Sequence, residues 1–169
     1  SGYSISLSGD GLKLAIGAPF NDGKNRYNQT LSNSGHVRVF HLDGVRWEQL
    51  GNEIYGEAVD DYSGIALSFS NDGSTLAIGA VGNDGNGGAS GHVRVFEWNV
   101  SDWVRRGNAI EGKNNFDESG RSVALNNDGS IVAIGANNPS RSASSSLRNY
   151  VRIFQWKDSS SSWEQLGGD

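Results

Sequence analysis

The chain has 169 residues, enough for one domain with a buried core, and 36% hydrophobic content with 24 glycines lies in the globular range. Its formal net charge of −5, with 14 scattered basic residues, argues against a phosphate-binding surface and so against nucleic acid. Having no cysteine, it has no disulfide or thiolate chemistry, and no run approaches the ~18 apolar residues of a membrane-spanning helix.

No basic-then-apolar leader opens the chain. The first predicted strand lies in SGYSISLS (Ser1–Ser8), where Tyr3, Ile5 and Leu7 alternate with Ser4, Ser6 and Ser8. A Gly-Asp-Gly turn leads to a second strand in LKLAIGA (Leu12–Ala18). Asp-Gly supplies positive φ, which predicts a tight primed hairpin. After the connection Pro19–Ser34 comes a third strand, GHVRVF (Gly35–Phe40), and a fourth is centred on WEQLG (Trp47–Gly51).

The same four segments then recur twice. The second set is SGIALSFS (Ser63–Ser70), STLAIGA (Ser74–Ala80), GHVRVF (Gly91–Phe96) and WVRRG (Trp103–Gly107). The third is SGRSVALN (Ser119–Asn126), SIVAIGA (Ser130–Ala136), NYVRIF (Asn149–Phe154) and WEQLG (Trp163–Gly167). Gly2, Gly64 and Gly120 stand in register, roughly 60 residues apart, the mark of a repeat architecture. No window has a helical amphipathic period. The reading is all-β: one repeat domain, 1–169, of three four-stranded antiparallel blades, about 1–61, 62–118 and 119–169. Such sheets must stack to bury their faces, which points to a β-propeller-like array. An open stacked-sheet or solenoid arrangement is the alternative.

These segments resemble the FG-GAP repeat of integrin-α-type propellers and of microbial and algal surface proteins. SGYSISLS followed by LAIGAP (Ser1–Pro19) carries the likeness, and GHVRVF follows as in that repeat. Only the first copy keeps the proline after Gly-Ala; the others have Val81 and Asn137. The resemblance implies a non-enzymatic extracellular or cell-surface module for adhesion, protein binding or assembly. It also implies calcium held between the first two strands. Here that loop keeps one carboxylate per copy (Asp10, Asp72, Asp128), too few for a calcium ligand set, so these residues read as turn formers.

Arg38, Arg94 and Arg152 recur at one strand position, where one buried ion pair per blade is favoured over a cationic ring. His36 and His92 are matched by Tyr150, so they form no symmetric metal set, and His41 stands alone. Asp60, Asp61, Asp117 and Glu118 precede inner strands and read as scaffold. No nucleophile–base constellation is legible, so the chain is read as not an enzyme, needing no cofactor. A hydrolase with converging loop carboxylates ranks third.

What varies between copies is the second connection of each blade, where recognition is grafted onto a fixed frame. The candidate ligand-binding residues there are Asp22, Arg26, Tyr27, Asp84 and Arg141, weighed against plain solvated loops. Asp22 and Asp84 are the best remaining place for calcium. Trp98 and Trp156 would stack on sugar rings if the module is a lectin, or else cover a sheet edge. The sequons at Asn28 and Asn99 fit glycosylation of a surface protein, whereas Pro139 disqualifies that at Asn138. Expected partners are proteins or glycans, with self-association or further blades in a longer chain.

Overall fold

The computed structural model describes residues 1–24, 27–137 and 149–168, and every regular element among them is a β-strand. In the first sheet β1 (Ser4–Leu7), β2 (Lys13–Ala18), β5 (His36–Leu42) and β6 (Trp47–Gln49) lie in that order. A ribbon of β3 (Gly23–Lys24) and β4 (Thr30–Leu31) fills the β2–β5 connection, and β7 (Ile54–Tyr55) returns to pair with β5. The second sheet runs β8 (Ala66–Phe69), β9 (Thr75–Ala80), β10 (His92–Trp98) and β11 (Trp103–Arg105), with β12 (Ile110–Glu111) also on β10. The third is β13 (Ser122–Leu125), β14 (Ile131–Ala136), β15 (Tyr150–Lys157) and β16 (Ser162–Leu166). The expected three antiparallel four-stranded blades are therefore present.

Two local features differ from expectation. The first hairpin turn is not a two-residue primed loop. Gly11 donates to the Ser8 carbonyl, and within the turn Gly11, but not Asp10, has positive φ (+70°). Asp10 accepts from the Leu12 N–H at 2.9 Å and from the Ser8 hydroxyl, which fixes this longer turn. Asp72 and Asp128 accept equivalently from Ser74 and Ser130. The outer strand is also broken: β6 pairs with Phe40–Leu42, while β7 pairs with His36 and Val37. Gly51 (φ +77°) makes the break, and Gly107 (φ +76°) repeats it.

The hydrophobic core lies between blades. Ala15, Val37, Val39 and Ile54 of blade one pack against Phe69, Leu76, Ile78, Phe96 and Trp103 of blade two. Ala77, Val93, Val95 and Ile110 of blade two meet Val132, Ile134 and Phe154 of blade three. The central β9 is buried along its whole length. Each blade thus presents an outgoing face of small and β-branched residues to an incoming face of larger ones.

At the hub β8 packs between β1 and β13, and the serine face of each inner strand stitches it to the next. Ser4 Oγ donates to the Gly64 carbonyl at 2.6 Å, and Ser6 Oγ accepts from the Phe69 N–H at 3.0 Å. Ser68 Oγ accepts from the Leu125 N–H at 2.9 Å. This is why Ser4 and Ser6 are partly buried while Ile5 and Leu7 on the first blade are exposed.

Candidate functional site: the axial rim

The turn before each inner strand lies at the hub, at one end of the three strands. In blade two it runs Asp61-Tyr62-Ser63-Gly64-Ile65 and in blade three Asp117-Glu118-Ser119-Gly120-Arg121. Asp61 is fully buried and accepts from the Glu57 and Ala58 N–H groups at 2.8 and 2.9 Å, and from Asn83 Nδ2 at 2.9 Å. Asp117 accepts from the Lys113 and Asn114 N–H groups at 3.0 and 2.8 Å and from the Tyr150 hydroxyl at 2.6 Å. Burial, then this bond to Asp117, pushes the Tyr150 phenol above its ordinary pKa. Both aspartates are scaffold.

Their neighbours are held in a costlier conformation. Tyr62 (φ +55°) and Glu118 (φ +47°) are left-handed, as are Asp60 (φ +57°) and Phe116 (φ +61°). Such a conformation costs on the order of 1 kcal/mol or more in a side-chain-bearing residue and gathers at functional positions. The scaffold is the same in both turns, but the side chains it presents are not. Blade three offers the Glu118 carboxylate 3.8 Å from the Arg121 guanidinium, one partly buried and the other exposed. Blades one and two offer an aromatic wall. Phe20 meets Tyr3 edge-on at 5.6 Å and Tyr62 at 5.7 Å, both Tyr3 and Phe20 being exposed. Burial, then the Asp60 carboxylate, raises the Tyr62 phenol.

The scaffold reading of Asp60, Asp61, Asp117 and Glu118 fits the two buried aspartates but passes over the side chains this rim presents. The signal was available: in the aligned copies Tyr62 stands opposite Glu118, and Tyr3, Ile65 and Arg121 share one position inside an otherwise repeated frame.

The structure places the sequence-predicted residues elsewhere. Asp22 accepts from the Asn33 N–H at 2.9 Å and Asp84 from the Ala89 N–H at 2.7 Å, so each carboxylate pins its own loop. Among the described residues no three histidines or carboxylates converge as a metal site. Tyr27 is exposed beyond the β3–β4 ribbon; Arg26 and Arg141 lie outside the described residues. Asn28 and Asn99 are exposed, and Asn99 Oδ1 accepts from the Ser101 and Asp102 N–H groups.

Trp98 and Trp156 sit at the outer ends of the two seams. Each packs on its own blade's Trp103 or Trp163 at 5.5 Å, under the preceding blade's Gly51 or Gly107. Arg106 lies 4.9 Å over Trp156. Trp103 Nε1 donates to the Leu50 carbonyl at 3.1 Å and Trp163 Nε1 to the Arg106 carbonyl at 2.9 Å, both across a seam. Arg94 is likewise structural: it is buried, donates to the Tyr55 carbonyl at 2.8 Å and Ser63 Oγ at 3.0 Å, and lies 3.5 Å from Glu57. Burial lowers its pKa, with Glu57 opposing.

No family model matches the chain, and no curated protein does. Among solved structures it is similar to a candidate 6-phosphogluconolactonase from Bacteroides uniformis, at 15% identity and TM-score 0.58, over 95% of this chain and 38% of that one. It is also similar to a periplasmic gluconolactonase of Pseudomonas aeruginosa, at 13% identity and TM-score 0.54, over 90% of this chain and 39% of that one. The likeness is one of fold, and the chain spans well under half the length of either structure.

These findings correct the FG-GAP assignment: the folds matched here belong to lactonases, and no integrin-type repeat model matches. The adhesion reading rested on that assignment and the expectation of a chain without enzymatic activity on finding no constellation; the lactonase folds speak against both, and against the lectin and glycoprotein readings drawn from Trp98, Trp156 and the two sequons. Repeat glycines and alternating apolar residues report blade packing, which unrelated propellers share.

Proposed function

We propose that this chain contributes three blades to a hydrolase of cyclic sugar esters, the lactone class named for its structural neighbours. The observation that carries this reading is the Glu118–Arg121 pair, 3.8 Å apart at the axial rim. Fold alone carries no chemistry, but this pair has the two groups lactone opening needs. Glu118 takes a proton from water as the water oxygen bonds to the lactone carbonyl carbon. Arg121 donates to the carbonyl oxygen as it gains negative charge. The ring C–O bond then breaks, the proton passes from Glu118 to the departing ring oxygen, and a hydroxy acid leaves. Tyr3, Phe20 and Tyr62 offer apolar faces to the sugar ring.

The test is continuous titration of acid released from glucono-δ-lactone and its 6-phosphate. The wild-type chain is expected to exceed the spontaneous rate, and Glu118→Gln to lower kcat by about 100-fold or more. A wild-type rate equal to buffer refutes the proposal.

A further inference from the structure

We infer that the seam between blades two and three binds a small organic anion on Arg152, where the seam between blades one and two uses a carboxylate of its own. The two seams are built from equivalent residues, yet their arginines are neutralised differently. At the first, Arg94 is 4% exposed, donates to the Tyr55 carbonyl and Ser63 Oγ, and lies 3.5 Å from the Glu57 carboxylate. Glu57 also holds Arg105 at 3.0 Å. At the second, Arg152 is 7% exposed and donates to the Glu111 carbonyl, but the likeness stops there. Lys113 stands in the place of Glu57, and Gln165 in that of Arg105. Ser119 Oγ, the counterpart of Ser63 Oγ, is buried without a partner, as is Arg152 Nε. Among the described residues no carboxylate forms an ion pair with Arg152. Tyr55, Glu57, Ser63 and Arg105 all have their counterparts inside the sequence, so the contrast belongs to the two internal seams.

The nearest carboxylates are committed elsewhere. Asp117 accepts from the Lys113 and Asn114 N–H groups and from the Tyr150 hydroxyl. The Glu111 carboxylate turns to His92, 3.8 Å away. A cation withdrawn from water without a counter-charge is costly, and arginine does not shed its proton to escape that cost. An anion from outside is what remains.

There is room for one. A hollow of about 340 Å³ opens beside Arg152, bordered by Asn108, Ile110, Glu111, Phe154 and Trp163, at the small end of the about 300–1,000 Å³ range of ligand sites. Smaller side chains border it than at the first seam: Ala109 replaces Glu53, and Ser162 replaces Asp102. Asp102 clasps the blade before it, accepting from the Asn52 N–H at 2.9 Å and from Asn52 Nδ2 at 2.7 Å. Ser162 instead meets Ser160 Oγ of its own turn at 2.8 Å. Trp103 is 6% exposed, whereas Trp163 is only partly buried. The guanidinium fork suits a carboxylate or phosphate head group, and Phe154 and Trp163 give a carbon skeleton an apolar surface. The ligand class is therefore a small organic carboxylate or phosphate monoester.

Titration at constant ionic strength tests this, read by tryptophan fluorescence and by Tm. The probes are benzoate and phenyl phosphate, the bare head groups acetate and inorganic phosphate, and benzyl alcohol as the neutral skeleton. At least one organic anion should bind ten-fold or more tightly than its bare head group, and benzyl alcohol should not bind; the better of the two anions identifies the head group. Lys113→Glu gives Arg152 the carboxylate that Arg94 has. It should weaken binding at least ten-fold and raise the Tm of the unliganded chain, and Lys113 is exposed, so the fold should be kept. Arg152→Met should weaken binding likewise, whereas Arg121→Gln at the rim should leave it unchanged. Wild-type protein that binds neither organic anion overturns the inference, as does Lys113→Glu binding like wild type. Loss of binding in Arg121→Gln would place the anion at the rim and overturn it too, and equal affinity for organic anions and bare head groups would overturn the ligand class.

Discussion

The seam between blades two and three can be probed with one methyl group. In Gly79→Ala the new Cβ would lie 2.1 Å from the Gly120 carbonyl oxygen and 3.0 Å from its carbon, both backbone atoms of the next blade. Backbone cannot swing aside as a side chain does, so the sheets must part by about an ångström to reach an ordinary contact distance. A gap of about 0.5–1 Å forfeits a quarter to a half of the dispersion well at the atoms it separates. The seam's buried residues are Ala77, Val93, Val95, Ile110, Val132, Ile134 and Phe154. With larger side chains worth about 1.5–3 kcal/mol each on burial, partial loss across this set amounts to about 3 kcal/mol. For a chain of this size that lowers Tm by roughly 6–12 °C. Gly135→Ala is the matched control, since its methyl would press only on Ser122, chiefly the hydroxyl, which can rotate away. Urea unfolding of both variants is the assay, at a concentration where the chain is monomeric. If Gly79→Ala is as stable as Gly135→Ala, the blades do not approach as described and the seam argument fails.

Two further outcomes follow from the same geometry. Asp61→Asn weakens the acceptor of two N–H groups and sets an amide against Asn83, which should cost about 2 kcal/mol in urea unfolding. Acid should destabilise in two stages. His36 is held below its ordinary pKa of 6.5, chiefly by burial, so its folded state favours the neutral ring and stability declines as pH falls below 6.5. Asp102, whose pKa the Asn52 backbone N–H and then its side chain lower below 3.8, contributes stability that is present above 3.8 and lost as pH falls through its folded value. Thermal melts from pH 8 to 2 check this, and His36→Phe should remove the first stage alone.

The blade repeat was legible because strand period, turn residues and strand spacing are local properties. The serine–apolar alternation of Ser4–Leu7 even identified the two faces, though not what each meets: serines stitch hub strands, while the apolar residues form seams. The broken outer strand was not legible, because Gly51 and Gly107 take positive φ under an indole supplied by the next blade. Trp98 and Trp156 read either as sugar-stacking indoles or as cover for a sheet edge for the same reason: what lies over them comes from a neighbour about 50 residues away in sequence, a distance no local period reveals. Asp22 and Asp84 attracted attention as loop carboxylates, yet short backbone N–H bonds commit them to their own turns. The rim pair Glu118 and Arg121 lay hidden in plain alignment, since one turn's scaffold carries different side chains in each copy.

The central claim is that seams between blades, not the sheets themselves, hold this protein together. Amide hydrogen exchange of the monomeric chain tests it most directly. β9, buried throughout between two seams, should exchange slowest, and the edge strand β8 more slowly than its counterpart β1, whose apolar face is open. Equal protection of β1 and β8 would contradict the account, because their pairing within the sheet is the same and they differ in what the preceding blade supplies: β8 has an apolar seam and the Ser6 hydroxyl on its Phe69 N–H, and β1 has neither.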